Sequence, residues 1–327
     1  MIVKKICILG GTGFVGQTLA NRLSRDGYAL KLLTRNREAH KDNLILLPKL
    51  DLVETNVHDA DNLVKEFKDC DAVINLVGIL NEQGSDGSGF SKVHVELTEK
   101  ILAACRLHGI RRYLHMSALN ADIDGPSHYL RSKAMAENLA HAADGMLVTS
   151  FQPSVIFGAA DSFFNRFATL LKLSPVLPLA CPEARFSPVF VNDVAEAFVH
   201  TLKDPAYYGK RLQLCGPQTF TLRELVQYTA KCIDVKRLVV PLPDTLSRIQ
   251  AKVFDLTGFI FSLVNIEKPF STDNYLSLQT DSVCHLNALE ELGIRATAID
   301  SVVPQYLSFS SSKSRYYSYR QHSGRNS

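Results

Sequence analysis

The chain of 327 residues contains no tryptophan and only four methionines. It also lacks a long apolar segment and a cysteine pattern for metal binding, which argues against a membrane-spanning protein and a metal-binding protein. Its longest uncharged apolar stretch in the C-terminal half, residues 256–266, is too short to span a bilayer. Its seven cysteines form neither a CxxC nor a Cys/His metal-binding pattern, so we expect no metal site and predict reduced thiols in a reducing compartment. Apolar residues at 46% and charged residues at 21% are ordinary for a soluble globular protein.

Positive charge is concentrated at the end of the chain. The net charge is +3 at pH 7, and residues 310–327 hold four basic residues and no acid. The remainder is therefore close to neutral, which argues against a nucleic-acid partner. The Ser-, Tyr- and Arg-rich composition of residues 310–327 predicts a disordered basic tail. Because an apolar strand begins a few residues after Met1, no cleaved targeting segment is expected, and the predicted location is the cytoplasm.

A glycine-rich turn near the start of the chain is the most informative motif. Gly10, Gly13 and Gly16 recur at every third position, after the apolar run of residues 6–9 and before an amphipathic segment that begins at Phe14. Glycines in this spacing allow a tight turn, close approach of the backbone to a pyrophosphate, and close packing of helix on strand. The helix N-terminus adds amide N–H groups and the positive end of the helix dipole. The motif therefore predicts a dinucleotide cofactor.

The end of the second predicted strand, residues 28–33, indicates which nucleotide is preferred. An NAD-preferring fold places an acidic residue here to bind the ribose 2′-hydroxyl, but no Asp or Glu lies between Gly27 and Glu38. Arg35 and Arg37 stand there instead, and guanidinium groups suit a 2′-phosphate. NADP(H) is therefore the preferred cofactor. NAD(H) is the alternative if both arginines belong to a solvated loop.

Alternating strand and helix patterns predict the fold class. The further apolar runs typical of strands are residues 52–57, 71–77, 112–116 and 146–151. Helical patterns lie between them, at residues 60–68 and 90–108. This βαβ order predicts an α/β fold: a Rossmann doubly wound parallel sheet with a smaller C-terminal substrate lobe.

Three segments are predicted along the chain. Residues 1–155 form the NAD(P)-binding Rossmann domain. Residues 156–309, where prolines interrupt shorter elements, form the substrate lobe, which is interleaved with the Rossmann body. Residues 310–327 form the tail.

One group of residues could carry out chemistry. Tyr129 and Lys133 are spaced i, i+4, on one face of a predicted helix, and Ser117 ends the strand before it. In a hydride-transfer site a tyrosine hydroxyl exchanges a proton with the substrate oxygen, and a nearby lysine cation favours the phenolate. The lysine can also hold the nicotinamide ribose, while a serine hydroxyl positions the reacting oxygen. We therefore predict Ser117, Tyr129 and Lys133 as catalytic residues.

Together these motifs resemble an extended or atypical short-chain dehydrogenase/reductase. Finer matches are similar to the subgroup of the NADPH-binding accessory subunit of mitochondrial respiratory complex I and its bacterial relatives. These matches are residues 93–96, 115–119, 129–134, 152–158, 161–167, 188–195 and 241–244. The resemblance covers about residues 3–307.

The resemblance implies a role for each matching residue. The backbone contacts to the pyrophosphate would come from Thr12, Gly13, Phe14 and Val15. Arg35 would bind the 2′-phosphate, and Asn56 stands near the adenine where relatives usually carry Asp. The residues that line the nucleotide would be Leu76, Val77 and Gly78. Tyr129 and Lys133 would flank the nicotinamide ribose, and Pro153 and Val155 would form the wall beside the carboxamide.

Two functions from different classes stay open. The first is an NAD(P)(H)-binding oxidoreductase-type protein acting on an apolar carbonyl or quinone-related small molecule. The alternative is a non-catalytic, nucleotide-stabilised accessory or assembly protein of respiratory complex I or quinone metabolism, with a respiratory or quinone-pathway protein as partner. His94, which stands where active relatives carry Asn in the proton relay, favours the alternative.

Two apolar stretches in the C-terminal half bear on location. They are residues 163–179 and 254–266, each with charged residues at its borders. Packing inside the lobe is the first interpretation. The second is a surface that contacts the inner membrane peripherally.

Overall fold

The computed structural model describes residues 3–39, 44, 46–82, 84–256 and 270–308. The predicted basic tail and residues 257–266 of the second apolar stretch lie outside the described residues. Within the described part of the chain, no helix combines the length and the apolar character that crossing a membrane requires.

Strands and helices alternate through the first half of the chain. The strands are β1 Lys5–Leu9, β2 Ala29–Thr34, β3 Leu50–Glu54, β4 Ala72–Asn75, β5 Arg112–Met116, β6 Leu147–Pro153, β7 Ile156–Phe157, β8 Val176–Leu179, β9 Arg185–Phe186, β10 Val189–Phe190, β11 Lys210–Leu214, β12 Phe220–Thr221 and β13 Leu238–Pro241. The α-helices are α1 Phe14–Arg25, α2 Ala60–Phe67, α3 Ser88–Phe90, α4 Leu97–Leu107, α5 His128–Ala142, α6 Phe163–Leu173, α7 Val191–Thr201, α8 Leu222–Cys232, α9 Asp244–Leu256, α10 Thr272–Ser277, α11 Ala288–Glu291 and α12 Val303–Ser308.

Seven parallel strands form the central sheet, in the order β11-β6-β5-β4-β1-β2-β3. The chain builds outward from β1 to β3 and then continues from β4 on the other side of β1. The strand order therefore reverses between β1 and β4. Ligands of open α/β sheets bind outside the carboxyl ends of the strands at such a reversal. The predicted Rossmann doubly wound fold is confirmed.

Helices cover both faces of the sheet because its central strands are apolar on both sides. In β1 every residue from Ile6 to Leu9 is buried. Helices α1 and α7 pack on one face, where Phe151 of β6 stacks on Phe198 of α7 with ring centroids 3.7 Å apart. Helices α2 and α4 pack on the other face, through residues such as Phe67 and Ile101. The carboxyl edge of the sheet is thereby left for loops.

A separate hydrophobic core lies in the C-terminal half. Helices α6, α8 and α12 contribute to it, and two-stranded ladders join β7 to β10, β8 to β13, and β9 to β12. Within the first apolar stretch, Phe164, Ala168 and Leu171 are buried in this core. That stretch therefore packs mainly inside the protein, as its first interpretation expects. The domain bounds at residues 155 and 309 stay a prediction.

The long helix predicted over residues 90–108 is interrupted. A π-helical turn, Ser91–Glu96, separates α3 from α4. Such turns are rare and occur often at functional sites. This one contains His94, whose side chain is buried.

The prediction that all cysteines are reduced is wrong for two of them. Cys215, just after β11, forms a disulfide with Cys284, at a sequence separation of 69. The other five are free: Cys7, Cys70, Cys105, Cys181 and Cys232. Spacing did not indicate the pair because the fold alone brings residue 284 to the end of β11.

Candidate functional site

The glycine turn after β1 has no room for side chains at two of its positions. Gly10 has a φ of +73°, and a Cβ there would lie 3.1 Å from the backbone carbon of Leu76. A Cβ on Gly16 would lie 2.3 Å from the carbonyl oxygen of Gly10. A Cβ and an oxygen cannot lie 2.3 Å apart, and the positive φ of Gly10 is strained for any residue with a side chain, so the turn requires glycine at both positions. The amide of Gly13 donates to the Gly10 oxygen at 3.0 Å and closes the turn.

The N-terminus of α1 is suited to an anion. Gly13 is its N-cap residue, and among the described residues no side chain caps it and no acid occupies its first turn. The first amides of a helix need acceptors from elsewhere, and phosphate oxygens supply them. The side chain of Gln17 donates to the carbonyl oxygen of Thr12 at 2.8 Å and fixes the turn on the helix. The residues present therefore fit the pyrophosphate of a dinucleotide.

The loop after β2 lies beside this turn. The hydroxyls of Thr34 and Thr12 are 3.4 Å apart, and Arg35 and Arg37 follow with exposed side chains. The amide of Arg37 donates to the Glu54 carboxylate at 2.8 Å. Arg35 is thus available on the surface next to the glycine turn, where the 2′-phosphate contact is predicted.

Asn56, the residue predicted near the adenine, is also exposed. Its Oδ1 accepts from the amide of His58 at 3.0 Å and forms a local turn. The predicted adenine contact must therefore share this oxygen or use the side-chain amide.

The loop after β4 lies between the glycine turn and α5. Leu76 donates its amide to the Leu9 carbonyl at 3.0 Å, and Val77 donates to Asn75 Oδ1 at 3.1 Å. A Cβ on Gly78 would lie 3.0 Å from Lys133 Nζ and 3.5 Å from His94 Nε2. Because Gly78 has no side chain, its backbone can lie close to the Lys133 ammonium group. Such close approach is typical of positions where a ligand lies against the chain.

Tyr129 and Lys133 lie one turn apart near the start of α5. Lys133 is 5% exposed and donates to the carbonyl oxygen of Met116 at 3.0 Å. Burial lowers the pKa of Lys133 to about 8, although the Glu137 carboxylate opposes this shift. Burial, and then the charge of Asp273, raise the pKa of Tyr129 to about 12. At neutral pH the phenol therefore keeps its proton.

An aromatic wall surrounds the Tyr129 ring. The ring centroid of Phe90 lies 6.0 Å away and that of His94 lies 5.8 Å away, both in edge-to-face arrangement. Such pairs hold a ring in a fixed orientation. The half-buried Tyr129 side chain is thus positioned beside Gly78 and Lys133 rather than lying loosely on the surface.

Ser117, the serine predicted to position the reacting oxygen, is hydrogen-bonded to Glu137. Its Oγ donates to Glu137 Oε2 at 2.7 Å and is buried. Glu137 also accepts from Gln152 at 3.0 Å and pairs with Arg211 at 3.3 Å. The catalytic role of Ser117 stays a prediction, and it requires this bond to break. Sequence reasoning missed Glu137, although it stands one turn beyond Lys133 on the same helix.

His94 has both ring nitrogens engaged. The amide of Ile79 donates to Nε2 at 3.2 Å, so the proton is on Nδ1, which contacts Ser132 Oγ at 2.8 Å. Burial, and then the charge of Lys133, lower the pKa of His94 to about 2. The ring is therefore neutral and fixed, which does not suit a proton relay.

The remaining predicted residues lie at the end of β6. The carbonyl oxygen of Pro153 accepts from Leu119 at 3.1 Å, and that of Val155 accepts from Val189 at 2.9 Å. Both residues are half-buried beside the carboxyl end of β5. The structure thus brings the predicted residues from β1, β2, β4, β5 and β6 to one edge of the sheet.

Two clefts in the described part of the chain are lined by residues other than Tyr129. One, of about 950 Å³, is lined by residues around the disulfide, and the other, of about 710 Å³, lies between Phe14 and Tyr306. In the described residues no group of three His, Cys, Asp or Glu side chains could hold a metal ion.

A glycine turn at the strand-order reversal, with a tyrosine–lysine pair on the neighbouring helix, defines a Rossmann-type protein of the dehydrogenase and epimerase class. The profile of the NAD dependent epimerase/dehydratase family matches residues 6–213. The chain belongs to this family.

Individual relatives refine this result. The mitochondrial NADH dehydrogenase [ubiquinone] 1 alpha subcomplex subunit 9 of Mus musculus is 30% identical over 300 residues, covering 90% of this chain and 77% of the relative. A ceramide reductase of Caulobacter vibrioides is 26% identical over 239 residues, covering 73% and 74%. The structure of the dTDP-glucose 4,6-dehydratase DesIV of Streptomyces venezuelae, with NAD bound, aligns with a TM-score of 0.72 at 18% identity, covering 93% and 95%.

Proposed function

We propose that the chain binds NADP(H) and acts as a nucleotide-stabilised accessory or assembly protein of respiratory or quinone metabolism. The observation that carries this proposal is the engagement of Ser117 and His94. The Ser117 hydroxyl is bonded to Glu137, and both nitrogens of His94 are bonded. A nucleotide can therefore be held beside Tyr129 and Lys133 without an assembled relay to deliver protons.

The preference for NADP(H) rests on Arg35. A 2′-phosphate at the end of β2 would receive charge-assisted hydrogen bonds from this guanidinium. The alternative acceptor of a ribose hydroxyl, a carboxylate between Gly27 and Glu38, is missing from the sequence. Bound there, the nucleotide would bring a transferable hydride to the side of α5 that carries Tyr129.

The partner side of the proposal rests on the relatives. Several proteins similar to this chain are named as subunits of NADH dehydrogenase or NADH-ubiquinone oxidoreductase. Those names support a respiratory-chain protein as the partner of this chain. Because those relatives are named as mitochondrial, they support a location beside a membrane that carries a respiratory chain.

Reduction of an apolar carbonyl is the second candidate function. It is favoured by the protonated Tyr129 phenol, which could act as an acid but not as a base at neutral pH. In that role the phenol would donate its proton to the substrate oxygen as the hydride arrives at the carbonyl carbon. The similar ceramide reductase supports a lipid-like substrate.

We expect the purified protein to retain bound NADP(H) and to turn it over slowly or not at all. Mass spectrometry of the denatured protein identifies the nucleotide, and loss of NADPH absorbance with a panel of apolar ketones and quinones measures turnover. Rapid turnover that Tyr129→Phe abolishes would contradict the accessory role and establish the reductase. Ser117→Ala serves as a second probe, because a hydroxyl held by Glu137 should contribute little to any residual rate.

Helix α9 supports peripheral membrane contact as part of the proposal. Its buried face is formed by Ser247 and Ala251, whereas Leu246, Ile249 and Val253 are 48%, 56% and 50% exposed. Large apolar side chains therefore lie on the solvent side of this helix, the reverse of the usual arrangement.

Charge around these side chains favours an anionic bilayer as the contact. Two basic residues, Arg248 and Lys252, are exposed on α9, the helix that carries Leu246 and Ile249. Basic side chains beside exposed apolar ones suit the headgroup and acyl layers of an anionic membrane. Asp244, which pairs with Arg248 at 3.1 Å, partly offsets this charge.

The protein is expected to float with vesicles that contain phosphatidylglycerol. In the double variant Leu246→Ser/Ile249→Ser, binding should fall roughly tenfold or more, because each buried apolar side chain contributes about 1.5–3 kcal/mol. Leu107→Ser, at a residue of α4 that is 71% exposed, is the matched control and should change nothing. If the unchanged protein stays with the soluble fraction at low and high salt, membrane contact is excluded.

A further inference from the structure

Residues 271–284, here called the strap, run across the carboxyl edge of the sheet. The side chain of Asn274 donates to the carbonyl oxygen of Leu80, in the loop after β4, at 3.0 Å. After β5, Asn120 donates to the carbonyl oxygen of Asp281 at 2.7 Å. Ser154, after β6, donates to the Ser282 carbonyl oxygen at 2.7 Å.

The strap ends at the disulfide between Cys284 and Cys215, after β11. These contacts follow the order in which β4, β5, β6 and β11 stand in the sheet. The strap therefore spans the half of the sheet edge that carries α5 and Tyr129.

At its start the strap holds the N-terminus of α5. The two carboxylate oxygens of Asp273 accept from the amide of His128 at 2.6 Å and from the amide of Tyr129 at 3.1 Å. The hydroxyl oxygen of the N-cap residue Ser127 accepts from the amide of Leu130 at 3.1 Å and from the hydroxyl of Ser277, in the strap, at 2.9 Å. The first two amides of the helix are thus satisfied by a residue more than 140 positions away.

We propose that Asp273 is a positioning residue for Tyr129, which sets the orientation of the phenol by holding the first turn of its helix. Because Tyr129 is itself the second residue of that turn, movement of its backbone amide moves the side chain directly. This role of Asp273 rests on the proposed function in one respect: it takes Tyr129 as the residue beside the nicotinamide. In this proposal the strap is part of the site: the glycine turn and α5 need it to hold Tyr129 in its orientation.

The charges around Tyr129 support this role. Lys133 and His128 lie on the same helix, His94 faces the ring from the π turn, and Asp273 faces it from α10. Of these groups, Asp273 is the one whose charge raises the pKa of Tyr129, after the effect of burial. A helix N-terminus alone would act in the opposite direction, because its positive end favours an anion. The charge of the Asp273 carboxylate therefore opposes the effect of the helix N-terminus on the pKa of the phenol.

The test follows the Tyr129 phenol without any nucleotide or substrate. All tyrosines are replaced biosynthetically by 3-fluorotyrosine, and the ¹⁹F resonance that disappears in Tyr129→Phe is titrated with pH. In Asp273→Asn we expect this resonance to move and its titration midpoint to fall by about half a pH unit or more, since a negative charge is removed. Asp273→Glu, which keeps the charge, should restore most of the midpoint.

Asp59→Asn is the matched control. Asp59 caps α2 by accepting from the amide of Asp61 at 3.0 Å, so the same chemical change is made at a helix far from Tyr129. Its ¹⁹F titration should be that of the unchanged protein. If Asp273→Asn does not fold, Asn274→Ala removes the bond to Leu80, leaves the charge in place, and should shift the resonance with a smaller change in midpoint.

A second readout is NADPH affinity, which we expect Asp273→Asn to weaken about threefold to tenfold, because Asn keeps only one of the two oxygens that accept from the amides of His128 and Tyr129. An unchanged resonance and midpoint in Asp273→Asn would overturn the proposal and leave Asp273 as a cap with no influence on the phenol. Failure of the unchanged protein to bind NADPH would contradict the proposed function, whereas the ¹⁹F comparison would still decide the role of Asp273.

Discussion

Gly16→Ala is expected to weaken NADPH binding on the order of 100-fold. The added Cβ would meet the Gly10 oxygen at 2.3 Å and the Gly11 Cα at 2.5 Å, both backbone atoms. Since neither can rotate away, the turn must open and its amides must leave the pyrophosphate. Overpacking of this kind costs about 1–3 kcal/mol, which accounts for most of the loss. The change in NADPH fluorescence on binding measures the affinity.

The control for this change is Gly109→Ala. Gly109 also needs glycine for its backbone, with a φ of +65°, but a Cβ there meets nothing within 4 Å. We expect Gly109→Ala to lower the melting temperature slightly and to leave NADPH affinity intact. A Gly16→Ala protein that melts normally and binds NADPH as before would show that the nucleotide lies elsewhere.

Arg35→Ala is expected to weaken NADPH binding by about 10- to 150-fold while changing NADH binding little. The reason is the loss of charge-assisted hydrogen bonds to the 2′-phosphate, which contribute about 1.5–3 kcal/mol. The same change should reduce the salt dependence of NADPH affinity, because exposed charges are screened within about 8–10 Å. Titrations of both nucleotides at two salt concentrations measure this.

Arg37→Ala provides the comparison within the same loop. Its backbone amide is bonded to Glu54, and the resemblance assigns the 2′-phosphate to Arg35, so we expect a smaller loss. If Arg37→Ala has the larger effect, the 2′-phosphate contact belongs to Arg37. Equal NADPH affinity in both variants and the unchanged protein would remove this loop from the site.

The parts of the site that were predictable depend on short-range spacing. The glycine turn follows β1 directly, and Tyr129 and Lys133 are separated by one helical turn, so their proximity is set by local geometry. The parallel sheet was also predictable, because apolar runs typical of strands alternate with helical patterns along the sequence. Element ends shifted by a few residues, as with β3 at Leu50–Glu54 where residues 52–57 were expected.

The parts that were not predictable depend on contacts between distant segments. Asp273 reaches the amide of Tyr129 across 144 positions, and Cys284 reaches Cys215 across 69. Both contacts form only because the strap crosses the edge of the sheet. No periodic pattern in the sequence predicts that path. The bond between Ser117 and Glu137 is intermediate, because both residues stand next to predicted ones but the pairing depends on how α5 packs on β5.

Titration of the unchanged protein with NADPH and with NADH tests the central claim most directly. The account predicts saturable binding of one nucleotide per chain, with NADPH at least about tenfold tighter than NADH, the difference expected of one charge-assisted phosphate contact. Tighter binding of NADH, or no binding of either nucleotide by a folded protein, would contradict it.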